Sequence, residues 1–294
     1  MPHRPFAQVD VFTDRPYLGN PLAVVLDAEG LSDAAMQQFA NWSNLSEATF
    51  VLPPTEAGRA AGADYRVRIF TPGYELPFAG HPTLGSCHAW LQAGGQPRAA
   101  GHIVQECGIG LVTLRQDGER LAFAAPPLVR SGPLDEADVQ RIALGLGVAR
   151  ADILHHAWCD NGPPWRGVML RSAQQVLALC PNASLLTDMD LGIVGPRSAI
   201  GTPASAPIAA QPANAFEVRA FHQGPNGLVE DPVTGSLNAA LAQWLIGAGL
   251  APHAYIASQG TALGRAGRVH VQRQGQDIWI GGHVTTCIQG QVLL

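Results

Sequence analysis

The feature of this sequence that most limits its fold is an internal repeat. Residues 65–70 (YRVRIF) and 216–221 (FEVRAF) share the pattern aromatic-x-Val-Arg-x-Phe. Residues 81–86 (HPTLGS) and 231–236 (DPVTGS) share the pattern [His/Asp]-Pro-x-x-Gly-Ser. The two segments recur in the same order, at offsets of 151 and 150 residues. A long period that occurs twice is typical of duplicated domains rather than of a solenoid.

Local patterns predict the secondary structure of the first half. Alternating apolar residues predict strands at 6–13 and 65–70. Helical spacing predicts a helix over 31–42, with Ser32 as its N-cap, and a second helix over 82–91. Our interpretation is a set of strands interrupted by one long helix in each half, which is an α+β plan.

Proline-rich and low-complexity segments divide the chain further. The Ala-Pro-Pro stretch at 125–127 marks a boundary, so we predict domains at 1–127 and 128–294, with the last strand able to cross back to the first half. Residues 201–213 are low in complexity and are predicted to form a surface loop. Residues 268–292 alternate between glycine turns, which predicts a closing meander of strands.

Composition excludes several classes of protein. The chain contains no lysine, so pyridoxal-phosphate enzymes, lysine-type aldolases and P-loop proteins are ruled out. A net charge of −5 and the lack of a basic stripe argue against nucleic acid or an anionic membrane as a partner. The five cysteines are odd in number and include no Cys-x-x-Cys pair. We therefore expect reduced thiols in a cytoplasmic protein, with no structural metal.

The repeated loops also suggest a chemistry. A helix N-terminus that follows a Gly/Pro loop forms an anion site, and two such helices related by a pseudo-twofold would direct two positive ends at one cleft. His81 and Asp231 take matching positions in the repeat but differ chemically. Both also have an ordinary structural interpretation, because Asp231 suits an N-cap and His81 suits a hydrogen-bonded loop histidine.

Glu47 is a further candidate because it directly precedes an apolar stretch, residues 48–52. One interpretation is an exposed carboxylate at the start of a strand. The other is a carboxylate drawn into the cleft, where a buried acid can take and return a proton near neutral pH.

Taken together, motifs spread along the chain resemble the PhzF family of phenazine-biosynthesis isomerases, within the diaminopimelate epimerase fold. The segments that carry the resemblance are GNPLAVV (19–25), NLSEATFV (44–51), FAGHPTLG (78–85), EDPVTGS (230–236) and the glycine pair 281–282.

The resemblance implies two pseudo-symmetric domains, each a curled sheet around a central helix, with the active site in the cleft between them. It implies an isomerase that needs no cofactor, acts on a small carboxylated substrate such as trans-2,3-dihydro-3-hydroxyanthranilate, and forms a homodimer. Glu47 would be the general acid/base. The other implied site residues are His81 and Asp231 as catalytic residues, and Asn20, Gly80, Gly235 and Ser236 as substrate-binding residues.

Two other functions remain open. One is a catalytically silent protein that binds small anions on the same fold. The other is an epimerase or racemase of a small amino or hydroxy acid, although neither repeated loop has the cysteine that thiol epimerases use, and Cys87 is expected to lie in the core. Leu263 and Ala266 depart from the family pattern, which bears on the substrate pocket.

Overall fold

A computed structural model describes residues 2–197, 214–224 and 227–294. The predicted surface loop at 201–213 therefore lies outside the described residues. Contacts divide the chain into two compact units. The first unit is Met1–Ala124 together with Gly281–Leu294, and the second unit is Ala125–Ile280. The independent domains predicted at 1–127 and 128–294 stay a prediction.

Strands and three helices form the main body of the first unit. In chain order these elements are β1 (His3–Val11), β2 (Asn20–Val25), α1 (Asp33–Ser43), β3 (Ala48–Leu52), α2 (Glu56–Ala60), β4 (Tyr65–Phe70), β5 (Glu75–Leu76), α3 (Gly80–Gln92), β6 (His102–Cys107), β7 (Gly110–Asp117) and β8 (Arg120–Ala124).

The second unit follows, and the chain then returns to the first. Its elements are α4 (Glu136–Leu146), β9 (His155–Asp160), β10 (Pro164–Met169), α5 (Ala173–Leu177), β11 (Asp190–Pro196), β12 (Asn214–Gly224), β13 (Gly227–Asp231), α6 (Gly235–Gly247), β14 (Ala254–Gln259) and β15 (Gly267–Gln274). Strand β16 (Asp277–Gly282) begins in the second unit, and its last two residues belong to the first. The last strand, β17 (Val284–Leu293), belongs to the first unit and pairs antiparallel with β1.

Helix α3 lies at the centre of the first unit. Strand β1 pairs antiparallel with β2, β2 parallel with β3, β3 antiparallel with β4, and β4 parallel with β6. Helix α3 contacts β1, β2, β3 and β8 and is buried over most of its surface. A helix buried on nearly all sides cannot be strongly amphipathic, which explains its run of small and apolar residues.

Helix α6 has the same place in the second unit. Strand β10 pairs parallel with β11, β11 antiparallel with β12, and β12 parallel with β14. Strand β13 forms a hairpin with β12, and β15 pairs antiparallel with β14. Helix α6 contacts β9, β10 and β15 and is also buried over most of its length.

The α+β plan is confirmed, and so are several individual elements. The strand predicted at 65–70 coincides with β4. Ser32 caps α1, since its hydroxyl accepts a hydrogen bond from the backbone N–H of Ala35. The closing meander is present as β15, β16 and β17.

The prediction of one long helix per half is wrong. Among the residues that the structure describes, each unit contains two helices of eleven or thirteen residues: α1 and α3 in the first, α4 and α6 in the second. Helix α4 carries ordinary boundary signals, with Asp135 in front and Gly147 behind it at a φ of 70°. Its apolar residues Val139, Ile142, Ala143 and Leu146 are buried on one face, as in an amphipathic helix.

No helix within the described part of the chain is both long enough and apolar enough to cross a lipid bilayer.

Candidate active site

Glu47 lies in the short connection between α1 and β3. Helix α1 ends at Ser43, and Asn44 adopts the left-handed conformation (φ 54°) that closes the helix C-terminus. The chain then enters β3, where Phe50 packs edge-to-face against Phe70 with ring centroids 5.5 Å apart. Next to this apolar packing, the Glu47 side chain is only 15% exposed. Of the two interpretations of Glu47, the structure supports the largely buried carboxylate.

His81 contacts Glu47 directly. It is the second residue of α3, and its side chain is 5% exposed. Its Nε2 lies 3.5 Å from Oε2 of Glu47, and its Nδ1 lies 3.5 Å from Nδ2 of Asn20. Because an amide nitrogen can only donate, the contact with Asn20 suits the tautomer whose proton is on Nε2, facing Glu47. The structure thus brings three predicted site residues together.

Polar side chains hold α3 against the strands around it. The hydroxyl of Ser86 donates to the hydroxyl of Thr49 on β3 at 2.8 Å, and Thr49 is two residues after Glu47. The buried amide of Gln105 on β6 donates to the hydroxyl of Thr83 at 3.0 Å. The Ser86–Thr49 bond ties α3, which carries the histidine, to β3, which begins directly after Glu47.

Asn20 is positioned by the turn before β2. The N–H of Gly19 donates to the carboxylate of Asp10 at 2.9 Å, and Asp10 is itself buried on β1. A side chain at position 19 would not fit, since its Cβ would lie 2.2 Å from the carbonyl oxygen of Val11. The glycine therefore allows the close approach that places Asn20, which is fully buried, beside the histidine.

Both central helices begin with a glycine. The first N–H groups of a helix have no partner within that helix. Helix α3 begins at Gly80 after Ala79, and α6 begins at Gly235 after Thr234. Neither capping residue forms a side-chain hydrogen bond to the first turn of its helix. The positive end of each helix dipole therefore remains suited to an anionic group, as the sequence predicts.

Asp231 is the last residue of β13, opposite Ala220 of β12. The structure does not make it the N-cap of α6, because that position is taken by Thr234. Instead, the hydroxyl of Thr234 donates to Oδ2 of Asp231 at 2.5 Å. The aspartate is thus an acceptor within the loop rather than a cap of the helix.

A buried ion pair supports β13, and the sequence analysis missed it. Arg219 on β12 donates to both carboxylate oxygens of Glu230, at 2.9 and 2.7 Å, and also to the carbonyl oxygen of Leu179 at 2.8 Å. The two side chains are 7% and 11% exposed. The arginine shared by both copies of the repeat was the signal that could have predicted this pair.

Ser236, the second residue of α6, is held by the β9–β10 hairpin. The indole N–H of Trp165 donates to its hydroxyl at 3.1 Å, and the side-chain amide of Asn161 donates to its carbonyl oxygen at 2.9 Å. Neither contact was predicted. The Asn161-Gly162 dipeptide does mark the hairpin turn in the sequence, but the partner of that turn lies 75 residues away.

His81 and Asp231, which match in the sequence repeat, lie in different local structures, and their equivalence in the two units stays a prediction. His81 is inside the first turn of α3, whereas Asp231 ends a strand four residues before α6. Counted from the helix starts, the counterpart of His81 is Ser236. The Pro-x-x-Gly-Ser pattern lies wholly within α3 at 82–86, whereas in the second unit its Pro-x-x part at 232–234 precedes α6.

The cysteines do not contribute to this site. Cys87 is fully buried, and burial raises the pKa of its thiol to about 12, so its place in the core is confirmed. All five cysteines are free thiols. Within residues 2–197, 214–224 and 227–294, no group of three histidine, cysteine or acidic side chains is arranged to hold a metal ion.

The predicted site residues fall into two sets. In the first unit His81 contacts both Asn20 and Glu47, while in the second unit Asp231 precedes α6 and Ser236 is its second residue. That both sets serve one active site stays a prediction.

The chain is similar to known proteins over nearly its full length. A family model described as phenazine biosynthesis-like protein (PhzC-PhzF) matches residues 9–290. A protein from Mesorhizobium japonicum named as an uncharacterized isomerase is 36% identical, with 100% of both chains covered. The trans-2,3-dihydro-3-hydroxyanthranilate isomerase of Pseudomonas aeruginosa is 33% identical, over 93% of this chain and 91% of its own length.

A solved structure shows the same fold. The crystal structure of a PhzF-family phenazine biosynthesis protein from Bacillus anthracis matches with a TM-score of 0.80 and 23% identity, covering 100% of both chains.

Proposed function

This chain belongs to the phenazine biosynthesis-like (PhzC-PhzF) family and is an isomerase, and from that premise we propose that it moves a proton between carbon atoms of a small, cyclic, carboxylated substrate. The observation that carries the proposal is the contact between His81 and the largely buried carboxylate of Glu47. A relative over nearly the full length acts on trans-2,3-dihydro-3-hydroxyanthranilate by its name, so that compound is the proposed substrate class.

Glu47 is the proposed proton carrier. A carboxylate that is 15% exposed has few competing water molecules, which suits a base that must hold a proton between removal and return. The His81 ring lies 3.5 Å from it and can donate a hydrogen bond when the carboxylate is ionised. The same carboxylate would remove the proton from one carbon and deliver it to another.

The substrate carboxylate is proposed to bind at the helix N-termini. The first N–H groups of α3, beginning at Gly80, and of α6, beginning at Gly235, offer donors and positive dipole ends. In this proposal Asp231 and Ser236 complete the same active site and orient the polar substituents of the ring. The reaction as proposed uses no cofactor, and the absence of lysine from the sequence is consistent with that.

The proposal is tested by solvent-deuterium incorporation into trans-2,3-dihydro-3-hydroxyanthranilate. Glu47→Gln keeps the shape of the side chain but removes the base, so incorporation should fall by about 100-fold to 10,000-fold, the usual contribution of a general base. Glu29→Gln is the matched control, since Glu29 is exposed in the loop before α1.

Two results would contradict the proposal. If Glu47→Gln incorporates deuterium at the rate of the unmodified protein, Glu47 is not the proton carrier. If the unmodified protein binds the compound tightly and exchanges no deuterium, the silent anion-binding function is favoured instead. A homodimer and a cytoplasmic location stay predictions beside this proposal.

A further inference from the structure

A chain of buried polar side chains ends at Asp231. Gln259, the last residue of β14, is fully buried, and Thr234 and Asn238 are 6% and 2% exposed. Gln259 donates from Nε2 to the hydroxyl of Thr234 at 2.9 Å and to the carbonyl oxygen of Asp231 at 3.2 Å. It accepts at Oε1 from the N–H of Thr234 at 3.1 Å and from the side-chain amide of Asn238 at 2.8 Å.

The direction of these bonds is determined by groups that cannot change roles. A backbone N–H can only donate, so the atom of Gln259 that faces the N–H of Thr234 must be its oxygen. The opposite end of the amide is then the NH₂ group, which faces the Thr234 hydroxyl and the backbone carbonyl of Asp231. The carbonyl can only accept, which agrees with this orientation.

The Thr234 hydroxyl has a single proton to give. Because its oxygen accepts from Gln259, that proton is available for Oδ2 of Asp231, which lies 2.5 Å away. Oδ2 of Asp231 is therefore the acceptor of this bond, and Thr234 links Gln259 to the aspartate side chain.

We propose that Gln259 and Thr234 are positioning residues that hold the Asp231 side chain in one fixed orientation. This inference rests on the proposed function, in which Asp231 faces the substrate. Because Thr234 binds Oδ2 of Asp231 and Gln259 binds both Thr234 and the Asp231 backbone, the loop itself sets the direction of the carboxyl group. Gln259 also binds Thr234 and Asn238 at the start of α6, so the same amide fixes the aspartate and the helix N-terminus together.

Helix α6 itself supplies a matched control. Gln243, two turns into the helix, donates its side-chain amide to the carbonyl oxygens of Pro126 at 2.9 Å and Ala239 at 3.3 Å. Both of these partners are backbone carbonyls rather than carboxylates. Gln243→Leu therefore removes a glutamine amide from the same helix without breaking a chain that ends on a predicted site residue.

The kinetic experiment compares Thr234→Val, Thr234→Ser, Gln259→Leu and the double variant Thr234→Val/Gln259→Leu with the unmodified enzyme. A misplaced catalytic group can cost about 100-fold in rate, so we expect Thr234→Val and Gln259→Leu to lower kcat by roughly 10-fold to 100-fold with KM changed by less than about 3-fold. Thr234→Ser should restore kcat, and the double variant should be no slower than the slower single one, because both break one chain.

Other results would overturn the inference. It fails if Thr234→Val keeps the kcat of the unmodified enzyme, if Thr234→Ser is as slow as Thr234→Val, or if the two losses add in the double variant. It also fails if Gln243→Leu, compared at equal thermal stability, lowers kcat as much as Gln259→Leu.

A second measurement does not depend on turnover, so it separates failure of this inference from failure of the proposed function. In protein labelled with ¹⁵N at glutamine side chains, the Gln259 amide signal is assigned by its loss in Gln259→Leu. We expect its protons to exchange slowly with water and its shift to change in Thr234→Val but not in Thr234→Ser. Exchange as fast as that of Gln289, which is exposed on β17, would overturn the inference even in an active enzyme.

Discussion

The N-terminal ends of the two central helices, α3 and α6, differ in where their candidate side chains are attached. In the first unit the candidate side chain His81 is on α3 itself, and Glu47, which it contacts, directly precedes β3. In the second unit the candidate side chain, Asp231, is on the strand before α6 and is held by Thr234 of the connecting loop. A similar strand, loop and helix therefore place chemically different groups at corresponding ends.

The arginine–glutamate pair that precedes each central helix is buried to a different degree. Arg68 of β4 binds Glu75 of β5 through two bonds of 2.7 and 2.6 Å, much as Arg219 binds Glu230. Glu75 is 40% exposed, however, whereas Glu230 is 11% exposed. The repeated arginine thus forms the same pair twice, but only the pair in the second unit lies in the interior. Its desolvation makes it sensitive to the loss of either partner.

The largest stability difference is expected from removing these arginines. Arg219→Met leaves the buried carboxylate of Glu230 unpaired and should lower the free energy of unfolding by about 3–5 kcal/mol. Arg68→Met leaves carboxylates that solvent can reach and should cost about 1 kcal/mol or less. Urea unfolding of both variants measures the difference, and the double variant Arg219→Met/Glu230→Met should recover much of the loss. Equal losses in the free energy of unfolding at the two positions would show that burial does not distinguish the two arginine–glutamate pairs.

A smaller effect is expected from the packing of α3. A Cβ at Gly85 would lie 2.5 Å from Cδ2 of Leu22 and 3.0 Å from Cγ2 of Val11. Gly85→Ala should therefore lower the free energy of unfolding by about 1–3 kcal/mol through overpacking. Gly247→Ala, at the exposed end of α6 where a Cβ would meet nothing within 4 Å, should instead be neutral or stabilising by up to about 1 kcal/mol. Thermal unfolding tests both, and a stable Gly85→Ala variant would show that α3 can move away from β2.

The smallest effect concerns pH and the second unit. Burial, helped by the charge of Arg150, lowers the pKa of His156, whose Nδ1 accepts a hydrogen bond from the N–H of Leu134 at 3.1 Å. The unfolded chain then binds this proton more readily, so the stability contributed by neutral His156 is present above about pH 6.5 and is lost as the pH falls below it.

His156→Asn tests this directly, because asparagine keeps an acceptor for Leu134 but does not titrate. The free energy of unfolding, measured by urea from pH 7 to pH 5, should fall less steeply in the variant, since titration of a histidine contributes only over about this range. The same slope in both proteins would show that other groups account for the acid sensitivity.

Much of the fold follows from patterns within a few residues of each other. Strand β4 was predicted from its alternation, and the start of α1 from Ser32, because backbone conformation responds to neighbouring side chains. The register of the repeat was not predictable in this way. Its Pro-x-x-Gly-Ser pattern fits both segments, and only the structure shows that α3 begins at Gly80 and α6 at Gly235.

By itself, the sequence determined the repeat, the exclusion of lysine chemistry and the candidates Glu47, His81 and Asp231. The tertiary structure alone decided that Glu47 is largely buried beside His81, and that Gln259 supports the loop of Asp231. The physical reason is distance along the chain. Asn20 and His81 are separated by 61 residues and Gln259 and Thr234 by 25, so no local periodicity records that their side chains meet.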